Sequence, residues 1–295
     1  MKMEAQCIPC LLNRVVYECN LTKKSKKKCA EIVRECAMLA AKEFEYGRCS
    51  ADVATKVHRR AYKILGVKDP YAGIKKKSNE VALSILPKVE KLVRESGDPL
   101  KAAVICAIIG NSMDFGIIGS AHSGPEHLIH EFDKMYAEGL GADDVGKIKE
   151  CLKPGAKIIL AIDNCGEIVF DRLLAQELKK YGVFLTLIVR GGVIMTDATR
   201  KDAMALGFDK IVDEILDTNH KNGVAAVGMS FKELKPLVRS RLREACLILA
   251  KGMGNYEAFT QSKYRPVAYL MRTKCKVVAE SIGLPRDINV AKVVE

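Results

Sequence analysis

The 295-residue sequence has no apolar run approaching the ~18 residues that a membrane-spanning helix requires. Its opening, Met-Lys-Met-Glu-Ala-Gln-Cys-Ile-Pro-Cys, lacks the apolar core of a secretory signal. Both absences lead to the expectation of a cytoplasmic protein with no membrane partner. No G-x-x-x-x-G-K-[ST] loop is present, which argues against a standard nucleoside triphosphatase. No G-x-G-x-x-G follows the first core strand, against a dinucleotide site, and no G-x-S-x-G elbow appears, against an α/β hydrolase. Aromatic residues make up only 6% of the chain, so a basic surface has few rings on which bases could stack. No second C-x-x-C accompanies Cys7-x-x-Cys10.

What is present is an ordinary globular composition, 48% hydrophobic and 28% charged, long enough for one large domain or two small ones. The net charge of +12 is uneven: residues 1–100 carry +9 of it. Its densest point is Lys23-Lys24-Ser25-Lys26-Lys27-Lys28. That run reads as a solvated helix start, as a nucleic-acid patch, or as a field drawing anionic substrates towards a nearby cleft. With stacking residues few and no recognition motif, a nucleic-acid partner is not expected. The eleven cysteines of a chain expected in the cytoplasm imply reduced thiols, most of them small buried hydrophobes. Cys7 and Cys10 read as half a zinc site, a redox pair, or simple packing. Oligomeric state is not legible.

Periodicity divides the chain. Residues 1–95 read as helices throughout, including 29–44, 50–65 with Gly66 as its stop, 75–86, and a further helix to Glu95 that begins near Pro87. A helical N-terminal domain or cap is expected there. After Ser96-Gly97-Asp98-Pro99, residues 96–295 read as the core. Lys101–Ile109 is a buried helix, Gly110–Gly116 a loop, and 120–152 less regular helix. From Lys157 strands and helices alternate: strands at 158–162, 183–189, 210–215, 246–250 and 267–271, with helices at 168–181, 199–206 and 277–282. That alternation predicts an α/β fold, a three-layer α/β/α core on a mainly parallel sheet, beside the all-helical N-terminal domain.

The chemistry concentrates at predicted strand ends. Lys157-Ile-Ile-Leu-Ala-Ile-Asp163-Asn164-Cys-Gly166-Glu167 is an apolar strand that ends in a carboxylate and a carboxamide side by side. In a parallel sheet, ligands bind in the crevice at the carboxyl ends of the strands. Asp197, the glycine-rich Lys251–Glu257 loop, Arg272 and Lys274 occupy comparable positions. Hard oxygens suit Mg²⁺ or Mn²⁺, and nearby lysines neutralise phosphate, which is the inventory of metal-assisted phosphoryl transfer. Singly, Asp163 or Asn164 reads equally well as the N-cap of the next helix. Asp171 and Asp202 read as surface residues or supports behind the site. His122, His127 and His130 read as loop and helix-surface residues, and Cys165 as packing.

With these motifs located, the chain resembles the damage-control phosphatase family, long called domain of unknown function 89, in its stand-alone archaeal and prokaryotic branch. The matching pieces are Cys7-x-x-Cys10, Asp69-Pro70-Tyr71, Gly110-Asn111-x-x-Asp114-Phe-Gly116, Asp163-Asn164-x-Gly166-Glu167, Asp197 after Arg190-Gly-Gly192, and Lys251-Gly-x-Gly254-Asn255-Tyr256-Glu257. They run in order along nearly the whole chain. The resemblance implies a phosphatase whose divalent metal (Mn²⁺, Ni²⁺, Co²⁺ or Mg²⁺) is held by Asp163, Asn164 and Asp197. It also implies substrate contacts from the Lys251–Glu257 segment, with Gly254, Asn255 and Tyr256, and from a lysine near the C-terminal end. Part of the family reads R-T-x-K there. This chain has Arg272-Thr273-Lys274-Cys275-Lys276, and Lys274 is the expected counterpart. Val193 and Thr196 stand where relatives often carry Pro and Asn.

The expected activity is hydrolysis of phosphomonoesters of small metabolites, such as sugar phosphates or damaged phospho-metabolites. Asp163, Asn164, Asp197 and Glu257 are the expected catalytic residues. Glu257 or Asp114 would orient water or protonate the leaving alcohol, and Asn111, Asp114, Glu167, Lys251 and Lys274 would contact substrate. Asp163 is either a ligand only or also the nucleophile. The rival readings are an S-adenosylmethionine-dependent carboxyl methyltransferase, for which no glycine-rich cofactor loop is present, and a basic RNA-binding module.

Overall fold

The structure is a computed structural model that describes residues 1–113 and 126–295. Four helices come first: α1 (Cys7–Leu21), α2 (Lys26–Glu43), α3 (Ser50–Leu65) and α4 (Ala72–Glu95). Ser25 caps α2 by accepting the Lys28 amide, and the lysines around it are exposed or half-buried. The run is therefore a solvated helix start. α3 ends at Gly66, whose φ of 66° is left-handed, a conformation that glycine adopts without a Cβ penalty.

The sequence pattern breaks α4 at Pro87, but the helix runs through it. Proline removes one amide and orphans the carbonyl four residues back. Here both Pro87 and Leu83 are exposed, so water can take that bond.

The core begins with α5 (Pro99–Gly110), capped by Asp98, and a short 3-10 turn at Asn111–Met113. Asp114 and His122 lie outside the described residues. Then follow α6 (His127–Ala137), β1 (Ala142–Asp143), α7 (Val145–Cys151), β2 (Lys157–Ala161), α8 (Glu167–Lys179), β3 (Phe184–Val189), α9 (Arg200–Ala205) and β4 (Glu214–Asp217). A small hairpin of β5 (His220–Lys221) and β6 (Val224–Ala225) precedes α10 (Pro236–Glu244), β7 (Leu247–Lys251), α11 (Gly252–Phe259), β8 (Val267–Arg272), α12 (Lys276–Ile282) and β9 (Asn289–Val294).

The main sheet has the order β1-β9-β8-β7-β2-β3-β4. Its pairings are parallel except β8–β9. Side chains alternate across a strand, and the alternation produces the layers. Ile158 and Leu160 of β2 and Leu247 and Leu249 of β7 pack with α4, α5 and α8. Ile159, Ala161, Ile248 and Ala250 pack on the opposite face with α10, α11 and α12. A separate cluster, with Leu11, Val15, Ile32, Val53, Val57 and Tyr71 among its members, joins α1, α2 and α3. α3 also packs against α11, which sets this helical bundle over the carboxyl edge of the sheet.

Three expectations are corrected. β9 is an additional strand beyond 267–271. The 210–215 strand lies at Glu214–Asp217, behind a 3-10 turn at Phe208–Lys210. The Lys251–Glu257 segment is the last residue of β7 followed at once by helix α11. All eleven cysteines are free thiols.

Candidate active site

β2, β3 and β7 are mutually parallel, so their carboxyl ends meet on one edge and carry Asp163, Arg190 and Lys251 respectively. The segment after β3 folds back over the end of β2. The Ala198 amide donates to the Asp163 carbonyl (2.7 Å) and the Cys165 amide to the Thr196 carbonyl (2.8 Å). Asn164 and Asp197 form an isolated antiparallel bridge. This backbone pairing brings Asp197 to the Asp163-Asn164 pair.

Helix capping does not account for these groups. The N-cap of α8 is Gly166, and the N-cap of α9 is Thr199, in a capping box with Asp202. Asp202 thus has a structural role.

Arg190 is almost completely buried and ties the carboxylates together. Its Nε donates to Asp197 Oδ2, and its Nη2 to Asp163 Oδ1 (3.2 Å) and Asn255 Oδ1 (3.1 Å). Asn164 Nδ2 donates to Asp163 Oδ2 (2.8 Å), and Thr196 Oγ1 donates to Asn164 Oδ1 (2.6 Å). Asn111 Nδ2 donates to Glu167 Oε2 (2.6 Å) and Asp163 Oδ2 (3.3 Å), while its own carbonyl accepts from Lys274 Nζ. Asn255 Nδ2 donates to the carbonyls of Lys251 (2.8 Å) and Ile162 (3.2 Å), which joins α11 to the end of β2.

Behind this layer lies a buried charge cluster. Lys251 Nζ donates to Glu167 Oε1 and to the Ala107 carbonyl (2.9 Å), and it lies 2.8 Å from Asp171 Oδ1. All three side chains are fully buried. Burial pushes the Asp171 carboxyl up to about 7, with Lys251 opposing and Glu167 adding to the rise. Its two carboxylate neighbours hold the Lys251 ammonium above its usual range despite burial. Asp171 is therefore no surface residue.

A cavity of about 350 Å³ opens over the strand ends. Asp163, Asn164, Asp197, Gly254, Glu257 and Lys274 line its core side. Leu11, Arg14 and His58, with Cys7 and Cys10, face them from the helical bundle. Asn111, Glu167, Lys251, Asn255 and Tyr256 do not line it. They buttress the residues that do, except Tyr256, whose hydroxyl pairs with Ser281 (3.0 Å). Burial pushes the Glu257 carboxyl above the usual range, against the Ser50 hydroxyl (2.6 Å), the terminal ammonium and Arg14. Burial also raises the Cys7 thiol to about 11 and lifts the Cys165 thiol well above its ordinary range, so neither is an activated nucleophile. His130 is exposed.

Gly252 shows how tightly the site is packed. Its φ of 72° is left-handed, and a Cβ there would overlap the Asp163 carboxylate and crowd Asn111. Gly252→Ala is expected to displace Asp163, lower turnover at least about tenfold, and cost about 1 kcal/mol or more from backbone strain. Steady-state kinetics and a urea melt check both.

A family model described as the damage-control phosphatase ARMT1-like domain matches residues 3–290. The chain belongs to this family. It is similar to a protein named damage-control phosphatase from Archaeoglobus fulgidus, 43% identical with both chains fully covered. It is also similar to a damage-control phosphatase from Pyrococcus horikoshii, 28% identical over 97% of this chain and 96% of that one. The crystal structure of a DUF89 family protein from Pyrococcus horikoshii superimposes with a TM-score of 0.88 at 27% identity, covering both chains completely. The family resemblance and the three-layer fold expected from the sequence are thus both found.

Within this family fold, Asp163, Asn164 and Asp197 offer two carboxylates and a carboxamide at one cavity wall, an all-oxygen donor set that fits a hard divalent cation. Among the described residues no group of three or more His, Cys, Asp and Glu side chains is placed to hold a metal. Cys7 and Cys10 thus belong to no thiol-rich metal cluster among those residues. Sequence reasoning missed Arg190, although a charged residue directly after an apolar strand and before Gly191-Gly192 was a usable signal. It also missed His58, for which helical periodicity gives none.

Proposed function

We propose that this protein is a divalent-metal-dependent phosphatase acting on phosphomonoesters of small metabolites. The observation that carries this reading is the convergence of Asp163, Asn164 and Asp197 with Lys274 on one cavity. The family supports phosphatase chemistry. The cavity volume suits a small phosphorylated molecule.

Asp163, Asn164 and Asp197 would hold the cation, which when bound supplies Lewis-acid polarisation of a phosphate oxygen. Lys274, lining the cavity and anchored on the Asn111 carbonyl, neutralises phosphate charge. Arg190 fixes the separation of the two aspartates and offsets their repulsion. Lys251 acts from behind. It holds Glu167, which accepts from the Asn164 amide (3.2 Å) and from Asn111, and thereby sets the orientation of the Asp163-Asn164 pair. Glu257, whose carboxyl burial raises above its usual range, would be the proton donor to a leaving alkoxide. The helical bundle forms the facing wall of the cavity, with Leu11, Arg14 and His58 opposite the strand ends.

The test is phosphate release from a panel of phosphomonoesters by chelator-treated protein, with Mn²⁺, Ni²⁺, Co²⁺ or Mg²⁺ added back. Release is expected to vanish on chelation and return with at least one metal. Folded protein that releases phosphate equally well under chelation defeats the metal-dependent reading.

A further inference from the structure

Ser50 opens α3 and reaches across from the helical bundle to the core. Its Oγ donates to Glu257 Oε2 at 2.6 Å, a bond between residues 207 positions apart in sequence. Both residues line the cavity, and Ser50 is buried. The N-terminal region holds the Glu257 backbone as well: Cys49 Sγ donates to the Glu257 carbonyl (3.8 Å), and so does the Met1 ammonium. The Ser50 amide in turn donates to the Met1 carbonyl (3.1 Å). Helix capping does not explain the Ser50 hydroxyl, because the N-cap of α3 is Cys49.

A serine hydroxyl has one proton to donate and two lone pairs that accept. Towards a carboxylate it donates. Towards a carboxylic acid it accepts and turns its own proton elsewhere, and the Met1 carbonyl lies 3.3 Å from the same Oγ. The hydroxyl can therefore hold the Glu257 carboxyl in either protonation state, which a recycling proton donor requires. As the P–O bond breaks, its electron pair goes to the alkoxide oxygen and the Glu257 proton follows. The carboxylate left behind takes its next proton from water. Burial favours the neutral carboxyl, while Ser50, the Met1 ammonium and Arg14 on α1 favour the charged one. Cys7, Cys49 and Tyr256 are the other titratable groups beside it among the described residues.

We infer that Ser50 is a positioning residue for Glu257: through this hydroxyl the helical bundle orients the carboxyl that delivers a proton to the leaving alkoxide. This rests on the phosphatase reading above. The bundle then takes part in the chemistry and is more than a wall facing it.

The experiment measures kcat against pH for metal-loaded wild type, Ser50→Ala, Ser50→Thr and Glu257→Gln. The substrates are glycerol 2-phosphate, which leaves as an alkoxide, and 4-nitrophenyl phosphate, whose leaving group needs no proton. In Ser50→Ala, kcat for glycerol 2-phosphate is expected to fall about 10- to 100-fold, against less than about threefold for 4-nitrophenyl phosphate. The alkaline limb for glycerol 2-phosphate, where Glu257 gives up its proton, is expected at higher pH than in the wild type, because the lost donor had stabilised the carboxylate. Ser50→Thr should recover both the rate and the limb, and Glu257→Gln should lose the limb. Should a urea melt show Ser50→Ala unfolded, Ser50→Cys, a weak donor of similar size, takes its place. An equal loss on both substrates marks Ser50 as merely structural and overturns the inference, as does no loss on either. A limb that persists in Glu257→Gln, or a wild type that hydrolyses 4-nitrophenyl phosphate and no alkyl phosphate, also overturns it. All four outcomes leave the phosphatase reading standing. A wild type that hydrolyses no phosphomonoester with any metal removes that reading first and this inference with it.

Discussion

Asp163→Ala is expected to lower phosphomonoester hydrolysis at least about a thousandfold while leaving the fold intact. The carboxylate sits where every other component of the site converges. Arg190 and Asn111 both donate to it, and so does the neighbouring carboxamide of Asn164. Its removal takes away one of two charged oxygen donors and frees Arg190 to reorient towards Asp197 and Asn255. The lost bonds lie at a cavity wall, where water can replace them, so the stability cost is small beside the loss of rate. Asp163→Asn, which preserves shape and removes charge, separates the two effects. It is expected to unfold like the wild type and to turn over as poorly as the alanine variant. Asp163→Ala protein that keeps a tenth of wild-type turnover would remove Asp163 from the mechanism.

Lys251→Met carries the largest expected stability effect. It leaves Glu167 and Asp171 fully buried with no cation between them. Breaking a buried pair by removing one partner costs about 3–5 kcal/mol. The loss is expected to depend on pH. Asp171 already has a folded-state pKa raised to about 7 by burial, and Lys251 is the influence that opposes the rise. Without Lys251 the folded-state value climbs further above that of the unfolded chain. A carboxyl raised in this way stabilises the folded state at pH below its unfolded value of about 4, and that contribution is lost as pH climbs towards the folded value. The deficit of Lys251→Met should therefore be larger at pH 8 than at pH 5, as measured by urea unfolding at both. Equal deficits would mean that lost packing, not stranded charge, accounts for the effect. Activity should fall with the fold, since Glu167 steers Asn111 and the Asn164 amide.

The strands that build the site were legible because they are buried on both faces and read as short apolar runs, as in Ile158–Ile162. The end of the first of those runs carries Asp163 and Asn164, and the segment after β3 folds back to bring Asp197 to the same cavity. Lys251 was legible as a charged strand end, but not its burial. Whether a lysine at a strand terminus turns towards solvent, ligand or core depends on α5 and α8, which lie far away in sequence. Pro87 misled for a similar reason, since Val81, Ala82, Val89 and Val93 pack α4 on the core on either side of it and the carbonyl it orphans faces water. β9 was missed because Lys292 interrupts a short apolar run and the strand exists through its pairings with β8 and β1. The pairing of Glu18 with His58 crosses two helices and has no local signature.

The cavity is walled on one side by helices from the first 65 residues and on the other by groups reaching to Arg286. During synthesis the bundle emerges first, and its inner face waits for some 220 further residues. At ~5–20 residues per second that wait is roughly 10–45 seconds. A chain that stopped between β7 and β8 would hold Asp163 and Asp197 without Lys274, β8 or β9. Lys274 is thus among the last cavity groups the growing chain supplies, and a product that stops before it also leaves β1 without its partner strand.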